Sequence, residues 1–235
     1  MTLAIMQPYF FPYIGYYSLI KYSDRFIVFD TPQFIYHGWI ERNRILKPLE
    51  GWQYVNVPLI KHSRSAVIKD VLIRKSEPWQ EKMIAQLQHY KKKAPFFKST
   101  MEIIEQIIFT DIDSIAYLNV KMLELTCSYL GIDLHYNFFS KMDIVIEDVN
   151  EPDEWALNIS KAIGATEYAN PPGGKEIFNK KKYNDSNVKL TFLKNKLNPY
   201  NQNRETFEAG LSIIDVMMFN SKEEIIKMLD DYEII

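Results

Sequence analysis

Seven residues suited to binding or proton transfer fall between positions 30 and 44 of this 235-residue chain: Asp30, Gln33, His37, Trp39, Arg42, Asn43 and Arg44. Arginine grips phosphate through paired N–H donors, and a diphosphate-linked ligand needs such a clamp. In an extended run, Arg42 and Arg44 project to the same face. His37 stands among them, and a histidine near its ordinary pKa of about 6.5 can accept the proton that an attacking amine loses. Asp30 is the alternative base, or the group that orients the histidine. A second basic group, Lys61 and Arg64 with His62 and Ser63 between them, suits a phosphate or an acidic partner; a solvated hairpin tip is the competing reading. Gly173 and Gly174 adjoin in Asn170-Pro171-Pro172-Gly173-Gly174-Lys175, where missing side chains let backbone amides approach an anion. There the competing reading is a plain turn.

Other chemistries are excluded by what is missing. The eight glycines include no pair with a single residue between them, so no G-x-G-x-x-G exists, and Gly174-Lys175 lacks the upstream glycine of a P-loop. One cysteine, Cys127, permits neither an intrachain disulfide nor a thiolate zinc cluster. It lies among apolar neighbours and reads as a buried filler. The four histidines form no H-E-x-x-H or H-x-x-x-H pair, so no metal is expected. No serine sits in G-x-S-x-G. A net charge of −2 argues against sequence-independent nucleic-acid binding. No apolar run of about 18 residues and no signal-like start is present, so a cytoplasmic protein without a membrane span is expected.

These residues need elements to hold them. Thr2 to Met6 and Arg25 to Phe29 read as buried strands, and Gly15 to Tyr22 as a helix between them. Strand, Pro-containing loop, helix and strand within about thirty residues is the length of a βαβ unit with parallel strands. Ligands bind beyond the carboxyl ends of such strands, which is where the loop from Gln7 and the cluster from Asp30 fall. Further strands are expected at Gln53 to Leu59, Val67 to Ile73, Leu134 to Phe139, Thr166 to Ala169 and Val188 to Phe192. Helices are expected at Trp79 to Lys93, Thr100 to Phe109, Ile112 to Leu130, Asp153 to Ile163, Ile213 to Phe219 and Lys222 to Leu229. Gly131 and Gly164 close two of them. Residues 1–235 then form a single domain: an α/β fold with a parallel sheet flanked by helices and a helical insertion around 79–130.

The aromatics gather at the start: Tyr9, Phe10, Phe11, Tyr13, Tyr16, Tyr17, Tyr22, Phe26, Phe29, Phe34, Tyr36 and Trp39. They make either a core seam or a stacking surface for bases and sugars. The run Pro8 to Ile20 resembles the strand–loop–helix opening of HUP-type nucleotidylyltransferases, with Pro12, Tyr13, Gly15, Tyr16, Leu19 and Ile20 in register. That resemblance implies a HUP-like sheet and a helix N-terminus able to hold a phosphate. Tyr13 and Tyr16 replace the two histidines that bind triphosphate there, which counts against nucleotidyl transfer.

A more specific resemblance runs along the whole chain. Its pieces are Met6 to Tyr16; Asp30 with Gln33-Phe34; Trp39 with Arg42-Asn43-Arg44-Ile45; Val57-Pro58 with Lys61, Ser63 and Arg64; Trp79; Tyr90 with Ala94 to Phe97; Leu130-Gly131-Ile132; Gly164-Ala165 with Tyr168; Gly173-Gly174; Tyr200 with Gln202; and Leu211 to Asp215. The chain is similar in these to the WbqC-like family, found with bacterial O-antigen and surface-polysaccharide genes. Family members often carry a Ser before the Gly-Gly and a His before the Pro-x-Tyr. Here Asn170-Pro171-Pro172 and Asn198-Pro199-Tyr200 stand instead, so neither role is carried over. The resemblance implies a transferase that acylates or aminoacylates a nucleotide-linked amino sugar. Its donor would be a thioester on coenzyme A or a phosphopantetheine carrier protein, with no bound cofactor. His37 or Asp30 would serve as base. Gln7, Tyr9, Tyr13, Tyr16, Gln33, Trp39, Arg42, Asn43, Arg44, Lys61, Arg64, Gly173 and Gly174 would hold the substrate. Nucleotidyl transfer, or a nucleotide-sugar-binding module of a glycan assembly complex, are the alternatives.

Overall fold

The computed structural model describes every residue from Met1 to Ile235. β1 (Thr2–Met6), α1 (Ile14–Tyr22) and β2 (Arg25–Val28) open the chain as the expected βαβ unit, with β1 and β2 parallel. Leu3, Ala4 and Ile5 are all buried, because both faces of β1 are covered. β5 (Tyr136–Phe138), β6 (Glu167–Asn170), β7 (Lys189–Asn195) and β8 (Tyr232–Ile234) complete a six-stranded sheet of order β5-β2-β1-β6-β7-β8. All neighbours pair in parallel except β8, which runs antiparallel to β7. From β1 the chain builds outward through β2 and β5, then crosses back to β6 and β7. The switch point therefore lies between β1 and β6, where open α/β sheets take ligands.

The long connection from β2 to β5 includes the expected helical insertion around 79–130. It holds a hairpin of β3 (Arg42–Leu46) and β4 (Trp52–Asn56), then α2 (Trp79–Leu87), α3 (Phe97–Ile108) and α4 (Ile115–Leu130). Gly131, at φ +72°, closes α4 in the left-handed conformation, and Ile132 N–H reaches the Cys127 carbonyl at 2.9 Å. α5 (Glu154–Ala162) precedes β6, α6 (Lys180–Asp185) precedes β7, and α7 (Ile213–Phe219) and α8 (Lys222–Asp230) lead into β8.

One expected strand is absent. Val67 to Ile73 forms a 3-10 turn at Ile68–Asp70 flanked by isolated bridges, Gln33 to Val67, Leu59 to Ile73 and Leu72 to Ser114. Ile68, Val71 and Ile73 pack inward while Leu72 is exposed, and the chain between them turns too sharply to ladder. The strand expected at Gln53 to Leu59 stops at Asn56, and β3, α6 and β8 were not anticipated.

The sheet divides the apolar residues in two. Ala4, Phe26 and Val28 face a cluster of 49 buried residues that takes in α1, α7, α8, the hairpin and the inserted helices. Leu3, Ile5 and Ile27 face a cluster of ten under α5 and α6. No helix is long and apolar enough to cross a membrane.

Candidate functional site

The loop after β1 is pinned from three sides. Asn43 in β3 donates to the carbonyls of Phe10 and Phe11 at 3.0 and 2.9 Å, and accepts from Arg44 N–H at 2.8 Å. Asn119 in α4 donates to the carbonyls of Pro8 and Ile40, both at 2.8 Å. Tyr16 in α1, fully buried, donates its hydroxyl to the Gln7 carbonyl at 2.8 Å. Buried carbonyls need such donors. They hold Phe11 at φ +39°, an uncommon conformation for an aromatic residue. Tyr13 caps α1 in extended conformation and folds its ring back over the first turn. A Cβ on Gly15 would stand 2.4 Å from that ring, so glycine is what allows Tyr13 to lie there.

The hairpin presents two unlike faces. Asn43, Ile45 and Val55 point into the core. Arg42, Arg44, Trp52 and Tyr54 share the other face, as the pairing of Arg44 with Tyr54 and Leu46 with Trp52 requires. There they form a ladder with Trp39. The Arg44 guanidinium lies 5.5 Å from the Trp39 ring and 5.2 Å from the Trp52 ring. Trp52 meets Tyr54 at 5.0 Å, and Arg42 lies 4.0 Å over Tyr54. Cation–π contact and stacking fix both guanidinium planes. Each spends few of its five donors on the protein. Arg44 gives one to the Gly210 carbonyl at 3.0 Å, and its buried Nε has no partner; Arg42 gives one to the His37 carbonyl.

Two cavities adjoin this ladder. The first, about 280 Å³, is lined by Tyr9, Pro12, Tyr13, Trp39, Asn43, Arg44, Leu197 and Gly210. Burial pushes the Tyr9 and Tyr13 hydroxyls above their ordinary range, so both remain neutral donors. The second, about 440 Å³, is walled by Tyr36 and Tyr54 and contains His37, Glu41 and Arg42. His37 is largely exposed and sits at φ +59°, with its backbone N–H on Glu41 Oε1 at 2.7 Å and its Nδ1 3.6 Å from the same oxygen. Burial raises the Glu41 carboxyl above its usual pKa, against the lowering pull of His37, Arg42 and His62.

The structure thus gathers Tyr9, Tyr13, Trp39, Asn43 and Arg44 around one cavity, and His37 and Arg42 around its neighbour. The two arginines share a strand face but open onto separate cavities. Gln7 and Tyr16 brace the loop from below. Gln33, Lys61 and Arg64 lie on neighbouring exposed segments, where Gln33 Nε2 donates to the Arg64 carbonyl at 2.6 Å. Asp30 is buried and accepts from Ser140 N–H at 3.0 Å and Ser140 Oγ at 2.5 Å. The carboxylate beside His37 is Glu41, not Asp30. Gly173 and Gly174 lie in a 3-10 turn after β6, line neither cavity, and have no left-handed φ. The Gly174 hydrogen faces the Phe178 ring, which a Cβ would approach to 3.2 Å. Cys127 is buried, and burial pushes its thiol up to about 12, consistent with an inert filler.

Sequence reasoning passed over Glu41, Trp52, Tyr54 and Asn119, and named Tyr36 only as one of the N-terminal aromatics. Trp52 and Tyr54, alternating with Gln53 and Val55, were a strand signal; Glu41 beside Arg42 reads as one more solvated charge until the fold buries it.

The profile of the WbqC-like protein family matches residues 7–227. The uncharacterized protein Rv1507c of Mycobacterium tuberculosis is 27% identical over 221 residues, which cover 93% of this chain and 93% of that protein. No solved structure matches.

Proposed function

The chain belongs to the WbqC-like protein family, and from that premise and the site geometry we propose that it is a transferase acting on a nucleotide-linked amino sugar. The reaction is N-acyl or N-aminoacyl transfer from a thioester. The sugar nitrogen attacks the thioester carbonyl carbon, a C–N bond forms and the C–S bond breaks. The amine proton passes to His37 and from there to the leaving thiolate.

The observation that carries this reading is the pair of guanidinium groups fixed on aromatic rings with most of their donors unspent. They stand between a cavity walled by Tyr9, Tyr13 and Trp39 and one holding His37. Aromatic walls suit the flat base and the sugar faces. Fixed guanidinium forks suit the diphosphate. His37 is exposed toward the second cavity, where an amine would present its proton.

Calorimetric titration with a panel of nucleotide sugars tests it. Arg44→Ala is expected to weaken binding by about 2 kcal/mol, near thirtyfold; unchanged affinity rejects the clamp. His37→Ala is expected to leave that affinity intact and to slow N-acylation followed by mass spectrometry. Wild-type turnover in that variant removes His37 from the mechanism.

A further inference from the structure

The second cavity contains an acid and a base that do not answer each other. Glu41 and Arg42 are adjacent, line the same space, and form no ion pair. The Arg42 guanidinium is turned onto the Tyr54 ring, 4.0 Å away, and gives one donor to the His37 carbonyl. Glu41 is 8% exposed; its Oε1 takes the His37 N–H, while its Oε2 is buried with no hydrogen-bond partner. A buried carboxylate oxygen without a donor is costly. Burial accordingly holds the Glu41 carboxyl above its usual range. The groups facing it are His37, Arg42 and His62, whose own Nε2 also lacks a partner.

We propose that this cavity is the amino-sugar subsite: Glu41 Oε2 accepts from the ligand's ammonium group, and Arg42 takes the phosphate on the anomeric carbon. The assignment rests on the nucleotide-sugar reading and adds to it the group that distinguishes an amino sugar from a neutral one. A ligand carrying both charges supplies the missing partner on each side. The rings of Tyr36 and Tyr54 form walls on which a pyranose can lie. The His37 imidazole, 79% exposed beside Glu41, turns aside to admit the ammonium and then stands next to the nitrogen that must lose a proton. Glu41 is thus the recognition residue for the amine and the positioning residue for His37.

The test uses two sugar phosphates that differ in a single group, glucosamine 1-phosphate and glucose 1-phosphate, titrated into the full chain and followed by the backbone NMR signals of residues 36–42. The amino sugar is expected to bind about tenfold more tightly. Glu41→Gln, which keeps the size and removes the charge, is expected to abolish that preference while the phosphate still binds. Equal affinities in the wild type overturn the proposal, as does a preference that survives in the variant. Should the variant fail to fold, the wild-type comparison decides alone. If a nucleotide sugar binds through Arg44 while the two sugar phosphates bind alike, the amine subsite fails and the wider reading stands. If neither a nucleotide sugar nor a sugar phosphate binds, both fall.

Discussion

Asp215 shows how one buried side chain ties distant segments together. It sits in the first turn of α7 and accepts from Tyr90 Oη at 2.7 Å, Tyr200 Oη at 2.5 Å and Gln202 Nε2 at 2.8 Å; Tyr90 Oη in turn accepts from Leu46 N–H at 2.9 Å. Burial outweighs these donors and raises the carboxyl from 3.8 to about 6. Between about pH 4 and 6 the folded chain therefore holds this proton more often than the unfolded chain does. Stability from this group is full below the unfolded value and is lost as pH rises through the folded one, by up to about 3 kcal/mol. Asp215→Asn is expected to remove that slope. Below about pH 4, where the wild-type carboxyl is protonated too, it should cost about 1–3 kcal/mol, because one tyrosine hydroxyl loses its acceptor. Urea unfolding of both proteins across this range checks it, read as the difference between them, since the lowered carboxyls of Glu154 and Glu167 slope the other way. An identical slope in the variant rejects the assignment. Tyr200, Gln202 and Asp215 were legible in the sequence as shared features, but their convergence was not: the spacing in the chain says nothing of Tyr90 arriving from the 3-10 turn that follows α2. Glu41 was hidden for a similar reason: Val57 N–H bonds its carbonyl at 2.8 Å from across the hairpin, a pairing that spacing in the chain does not disclose.

At the scale of elements, the aromatic loop keeps its shape through two amides borrowed from β3 and α4. Asn119 lies between Leu118 and Val120 on a helix buried along most of its length, and it is fully buried itself. Asn119→Ala leaves the Pro8 and Ile40 carbonyls without their donor. The expected loss is about 2–4 kcal/mol in chemical denaturation. Faster hydrogen exchange at Phe10 and Phe11 should accompany it, because local opening of the loop becomes easier. Exchange unchanged at those amides would show that the loop is held by packing alone. Most elements could be read from periodicity, because α1, α3, α4 and β1 bury whole faces. β3 escaped because its inward positions begin with the polar Asn43, and its outward positions carry cations whose partners, Trp39, Trp52 and Tyr54, lie elsewhere in the chain. Val67 to Ile73 misled in the opposite sense: a segment rich in β-branched residues suits a strand only when a neighbour is extended beside it, and here the neighbours meet it at single bridges.

For the whole molecule, the sheet order sets where the chemistry can be and the uneven core sets how firmly it is held. The loops after β1 and β2 emerge at the carboxyl edge of the sheet, and the insertion returns the β3–β4 hairpin to that edge. The hairpin and the aromatic loop both rest on the larger cluster, through Phe10, Phe11, Ile40, Ile45 and Val55. The smaller cluster under α5 lies across the sheet from them. Ile45 and Ile159 are both fully buried, one in each cluster, and cutting either to Ala should cost about 2–5 kcal/mol through lost contacts and the cavity left behind. The effects on binding should differ. Ile45 stands directly behind Arg44 on β3, so a void there lets the strand settle inward and moves the guanidinium relative to Trp39 and Trp52 by a fraction of a bond length, enough to misalign a bidentate contact. Ile159 packs against the opposite face, with the close-packed strands between it and the cavities. With denaturant midpoints and nucleotide-sugar affinities measured on both variants, Ile45→Ala is expected to lose stability and affinity, and Ile159→Ala stability alone. Equal loss of affinity in the two would mean that the site depends on global stability rather than on the strand beneath it, and the hairpin would then not be the element that sets the geometry of the clamp.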